Sequence, residues 1–182
     1  MRGFTLIELL VVTGILVVIS GIMLANNAAF GGVITLRNLA YDMALSVREA
    51  QTYGISVRRF GDDNFSAGYG MHFRRSSPTS YILFADAEIE NGRYDGAGEL
   101  VESLVISRGF FISDLCVTPA GAGEETCDVQ KIDIRFTRPE PDAEIRYNDG
   151  SAVNQRTRIV LQSPRGDQAS VLIEATGQIS VQ

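Results

Sequence analysis

Histidine is nearly absent: His72 is the only one in 182 residues. A lone imidazole with no cysteine nearby and no obvious base partner argues against a histidine-rich zinc site and against a serine–histidine–aspartate triad. His72, mid-strand in GYGMHF, reads as a structural or surface residue. The sequence also lacks G-x-S-x-G, a Walker-type loop and a dinucleotide fingerprint. FGDDNFSAGYG carries glycines, but not the lysine or the strand-to-helix setting of a phosphate loop. No enzyme and no organic cofactor are expected. Basic charge is in deficit, with 16 Lys and Arg against 22 Asp and Glu and a net charge of −6. That balance weighs against a nucleic-acid partner, which asks for a basic surface. Disorder is also disfavoured, because 45% of residues are hydrophobic and 21% charged. No fixed-period repeat and no long low-complexity segment are present. The length fits one domain, or one domain with an appendage.

Cysteine is scarce too. Cys116 and Cys127 close the Pro/Gly-containing segment CVTPAGAGEETC. Outside the cytoplasm they would form a disulfide, worth roughly 2–3 kcal/mol, mostly through the unfolded state. In the cytosol they would be free thiols.

The most local absence is of charge at the N-terminus. From Phe4 to Ala25 the only charged residue is Glu8, within a run of Leu, Val and Ile. That run meets the ~20 residues needed to cross a bilayer. It is too long for the apolar part of a cleaved signal peptide, and no good small-residue cleavage site follows it. A plain signal anchor explains the length but leaves Glu8 unexplained. Arg2 points to a cytoplasmic N-terminus. A carboxylate in hydrocarbon costs a few kcal/mol and calls for a partner. No Lys or Arg in the segment can serve. If the chain were cut between Gly3 and Phe4, the new amine of Phe4 would lie four residues from Glu8 on one helix face, or beside Glu8 of a neighbouring subunit. The helix N-terminus also favours a negative side chain.

The stretch GFTLIELLVV resembles the processing site of type IV pilins and type II secretion pseudopilins. The resemblance implies that a prepilin peptidase cuts after Gly3 and methylates the amine of Phe4. It implies that Glu8 pairs with the N-terminus of an adjacent subunit during assembly. MRG would be a leader shorter than the family's usual one. Implied partners are other pilin or pseudopilin subunits, the prepilin peptidase, an inner-membrane assembly platform and membrane lipid. The implied location is the cytoplasmic membrane, single-pass with the C-terminal domain outside the cytoplasm, and then a filament. Within the class, LRNLAYDMALSVREAQTYGISVR, FADAEIENGRYDGAGELVE and IVLQSPRGDQASVLIEATGQISV are similar to the GspH/FimT group of minor subunits.

The division expected is a leader over 1–3, a membrane and assembly helix over 4–30, an amphipathic helix half over 31–54 and a β-rich domain over 55–182. Gly31 and Gly32 mark a soft point. Beyond them Leu36, Leu39, Ala40, Met43, Val47, Ala50 and Gly54 follow helical spacing, a stripe that packs on the chain's own sheet. Strands are expected over 55–60, 68–73, 80–86, 100–107, 131–136, 156–163 and 169–176. Turns are expected at Asn148-Asp149-Gly150, Pro164-Arg165-Gly166 and Thr176-Gly177. A long helix followed by an antiparallel sheet is an α+β arrangement, which the resemblance makes a pilin fold.

Two surface features remain. DAEIENGRYDGAGE is either a solvated acidic hairpin loop or a Ca²⁺ site with Asp86, Glu88, Glu90 and Asp95 as ligands, although it only approximates the EF-hand pattern. Arg58-Arg59, Arg74-Arg75, Arg135-Arg138 and Arg156-Arg158 could contact phosphates, or serve as solvated strand faces and intersubunit ion pairs. The leading expectation is therefore a minor filament subunit. The alternative is a filament-displayed or membrane-tethered receptor for DNA or a secreted substrate.

Overall fold

The computed structural model describes residues 3–61, 64–121, 123–148, 150 and 154–182, with only the backbone of 25–31. It divides into two units that meet at Thr35 and Leu36. Helix α1, Leu6–Ile55, contributes to both.

In the first unit, helical assignment runs on through Gly31 and Gly32 to Thr35. Every residue from Gly3 to Leu24 is exposed, including the whole apolar run. Leu6–Leu24 is long and apolar enough to span a membrane.

The second unit is α+β, with the C-terminal part of α1, a single 3-10 turn at Ala97–Glu99 and two antiparallel sheets among the described residues. Of the stripe the spacing predicts, the helix buries Leu36, Ala40, Met43, Val47 and Ala50, with Leu39 half-buried, and it buries Ala44 as well. Gly54 ends the stripe. A Cβ there would lie 2.4 Å from the Phe136 carbonyl oxygen, so hydrogen alone fits between helix and strand.

The strands are β1 Gly68–Arg74, β2 Ser80–Asp86, β3 Leu100–Val105, β4 Phe111–Pro119, β5 Thr126–Cys127, β6 Lys131–Phe136, β7 Ala143–Tyr147, β8 Asn154–Gln162, β9 Gln168–Glu174 and β10 Ile179–Val181. One sheet runs β3-β2-β1-β6-β7 and the other β10-β9-β8-β4-β5. Met71, Phe73, Ile132 and Ile134 from the first meet Leu115, Ile159 and Ile173 from the second in a shared core with the helix stripe.

Several expectations need correction. The domain has two sheets, not one. Residues 55–60 are not a strand: α1 continues to Ile55 and is followed by a turn. There Arg58 lies over the Tyr53 ring, 3.5 Å from its centroid, and only Phe60 bridges, to Asn64. β4, β5, β7 and β10 were not anticipated. In β4 the register slips between Ile112 and Asp114, which breaks the alternation a strand should show. β7 follows the loop-like run TRPEPD, and its five residues give a weak signal. Turns form at 164–166 and 176–177, while Asp149 lies outside the described residues.

Candidate functional site

The first candidate is the start of α1. Gly3, Phe4 and Thr5 are non-helical and exposed, Phe4 at 83%. Thr5 Oγ1 accepts the Glu8 N–H at 3.3 Å. Glu8 Oε2 in turn accepts the Thr5 N–H at 3.0 Å and the Thr5 hydroxyl at 2.8 Å. This is a reciprocal capping box, which satisfies two helix-terminal N–H groups and is worth ~1 kcal/mol. Sequence reasoning treated Glu8 as partnerless within an uncut chain, and the structure corrects that. The signal was present as Thr-x-x-Glu ahead of an apolar run. One lone-pair set of the carboxylate is used by Thr5, and the exposed side chain keeps capacity for a further donor. The arrangement can therefore hold a negative charge at the head of an apolar helix and offer it outward.

The two cysteines form the disulfide, with Cα atoms 4.0 Å apart. They are register partners between β4 and β5. Beside them Arg158 Nε donates to Glu125 Oε1 at 3.0 Å. That hydrogen bond holds the Arg158 pKa above its ordinary value, against a smaller opposing effect of burial. The ligand atoms of Cys116, Cys127 and Glu125 lie within 4.8 Å of one another, but both sulfurs are taken up in the disulfide.

The acidic loop joins the antiparallel strands β2 and β3, with Glu88, Glu90 and Asp95 exposed and Asp86 and Glu99 buried. Asp86, Glu88, Glu90 and Asp95 do not bring three ligand atoms together as a metal group. Asp86 is fully buried. It accepts the Asn91 and Gly92 N–H groups at 3.2 and 3.0 Å and pairs with Arg135. Glu99, also fully buried, accepts the N–H groups of Ala87, Glu88 and Asp95 at 3.3, 3.2 and 2.9 Å. Asp95 takes the Asn91 amide at 2.7 Å, and Glu88 and Glu90 are exposed. Two buried carboxylates thus organise the loop from within, using backbone N–H groups as their counter-charge.

The loop reaches back to β6. The Tyr94 N–H donates to Asp133 Oδ1 at 3.2 Å, and the same oxygen lies 2.5 Å from His72 Nδ1. His72 and Asp133 are 4% and 1% exposed, and the Tyr94 ring lies 5.2 Å from the imidazole. His72 is buried in β1 rather than at the surface. Its partner Asp133 was missed, because alternation in KIDIRF predicts a solvent-facing Asp133. The loop backbone at Tyr94 hydrogen-bonds that aspartate, and no single-strand pattern reports such a contact.

Most of the arginines are held within the chain. Arg135 Nε donates to Glu144 at 2.9 Å and Arg146 Nε to the same carboxylate at 2.8 Å. Burial alone would pull the Arg135 pKa down, but Asp86 and Glu144 outweigh it and hold it above the ordinary value. Arg75 pairs with Asp128, Arg138 donates to the Phe65 carbonyl, and Arg156 Nε to Thr118 Oγ1 at 3.1 Å. These pairings form within the chain.

No family model, curated protein or solved structure matches this chain.

Proposed function

We propose that this chain is a minor pilin or pseudopilin, made as a membrane precursor, cut after Gly3, methylated at Phe4 and assembled through its N-terminal helix into a filament. The observation that carries this reading is the head of α1. The Gly3–Phe4 peptide sits in an exposed, non-helical segment directly ahead of the Thr5–Glu8 cap. A peptidase needs an accessible bond outside the helix, and an assembly contact needs a carboxylate that can accept a second donor. Both conditions are met at the same helix end. The apolar run behind it, exposed throughout, supplies a surface for lipid before assembly and for neighbouring helices after it. The disulfide fits an extracytoplasmic domain.

The receptor alternative draws on the arginine pairs. Arg135, Arg138, Arg156 and Arg158 are engaged with partners in their own chain, which weakens that alternative.

The test is incorporation. In cells that assemble such filaments, Glu8→Ala is expected to be processed normally and to stay in the membrane fraction. Unchanged recovery of Glu8→Ala in sheared filaments would remove the assembly role.

A further inference from the structure

The domain has four sheet edges, and three of them are managed. β7 is covered by its neighbours: Asn154 Nδ2 donates to the Ile145 carbonyl at 2.9 Å, and the Ala143 N–H to the Ala175 carbonyl at 2.8 Å. β10 has three residues, and Arg48 reaches the Ile179 carbonyl at 3.3 Å. β5 has two residues. β3 differs. It is six residues long and pairs with β2 alone. Among the described residues its outer backbone has no hydrogen-bond partner. Natural sheets blunt such edges with charged side chains, proline, β-bulges or shortness. LVESLV has no lysine and no proline; its protection is limited to Glu102 and a register shift against β2 at Leu83 and Phe84, and Val105 stands 74% exposed.

The surroundings of this edge have one sign of charge. Glu102 lies on the strand and is exposed, and exposed Glu88, Glu90 and Asp95 lie on the loop that leads into it. The nearby cations are used or peripheral: Arg58 lies over Tyr53, Arg93 donates to the Gly150 carbonyl, and Arg108 follows the strand end.

We propose that the outer edge of β3 is a strand-addition site, which takes an extended segment of a partner polypeptide alternating β-branched residues with lysine or arginine as a sixth strand of the first sheet. Main-chain hydrogen bonds supply the affinity and the acidic flank selects the partner. A second copy of this chain is the wrong occupant, because it would set Glu102 and the acidic loop against themselves on a molecule of net charge −6. The inference does not depend on the filament reading.

The test uses the full chain in detergent micelles and three capped peptides. One alternates valine with lysine and threonine, one replaces lysine by glutamate, and one is the lysine peptide with alternate backbone nitrogens methylated. Anisotropy reports binding, and hydrogen exchange reports which amides are protected. The lysine peptide is expected to bind and to slow exchange in β3 but not in β10. The glutamate peptide is expected to bind on the order of tenfold more weakly, and the methylated peptide not to bind. Glu102→Lys, on an exposed side chain, is expected to weaken the lysine peptide about three- to five-fold while the fold is kept. Unprotected β3 amides at saturating lysine peptide would overturn the proposal. So would binding that survives backbone methylation, or a β3-paired dimer of the chain without any peptide.

Discussion

Thr5 and Glu8 cap each other: the threonine hydroxyl takes the glutamate N–H at 3.3 Å, and the glutamate carboxylate takes the threonine N–H and hydroxyl at 3.0 and 2.8 Å. A local helix start therefore accounts for part of what Glu8 does. The assembly role proposed for it must be separable from capping.

Two substitutions make that separation. Thr5→Ala removes the hydroxyl and weakens the helix end by ~1 kcal/mol, but leaves the carboxylate's charge. Glu8→Gln keeps an oxygen that can accept from Thr5 and removes the charge. If the charge acts between subunits, filament recovery falls severely with Glu8→Gln and little with Thr5→Ala. Recovery lost with Thr5→Ala and kept with Glu8→Gln would reduce Glu8 to a cap.

Gly54→Ala sets two effects against each other. Helix propensity alone would favour alanine by ~1 kcal/mol. The added carbon, however, would lie 2.4 Å from the Phe136 carbonyl oxygen and 2.8 Å from the Phe136 Cβ. Both belong to a buried strand, so relief means moving the helix away from β6. A net loss of about 1–3 kcal/mol is expected, read as a lowered urea midpoint of the full chain in micelles. A raised midpoint would show that the helix moves freely.

Asp86→Ala removes the acceptor of two loop N–H groups and one partner of Arg135. A loss of roughly 3–5 kcal/mol follows, since buried donors and a partly buried cation are left short of acceptors. Glu88→Ala, on an exposed side chain, should change stability by under about 0.5 kcal/mol. Protease cleavage within 87–96 should rise for the first variant only, because the loop is held from Asp86 and Glu99 rather than by its exposed acids.

Burial is the main cause that raises the Tyr81 pKa above its ordinary 10.0, with Asp42 and Glu102 adding to it and the Ser46 hydrogen bond opposing. The folded state thus holds the phenolic proton more tightly than the unfolded chain. This contribution is complete below pH 10.0 and is lost as pH rises through the folded-state value. Tyr81→Phe should flatten the alkaline fall in urea stability without steepening it below that range. An equal alkaline fall in both proteins would assign the effect elsewhere.

Much of this architecture was legible in the sequence. The helix stripe from Leu36 to Gly54 is a 3.6-residue pattern, and β2 and β6 have the limits their apolar and β-branched runs suggest. Two cysteines with a short spacing left one intramolecular pairing to form. What was not legible depends on contacts between distant segments. The slip at Ile112 and Asp114 hides β4 from any period-2 reading. The burial of Asp133 depends on contacts with His72, 61 residues away, and with the Tyr94 backbone. The acidic loop was legible in part: Glu88, Glu90 and Asp95 face solvent, as its composition suggests, whereas the burial of Asp86 and Glu99 depends on backbone N–H groups and on Arg135. The Thr5–Glu8 cap is the opposite case, a local motif that was readable and went unread.

The most direct measurement is intact mass with N-terminal sequencing of the chain isolated from its native membrane. A chain that begins at N-methylated Phe4 is the result predicted. A chain that retains Gly3, from cells whose prepilin peptidase processes its other substrates, would contradict the filament-subunit account and leave a tethered domain with a capped membrane helix.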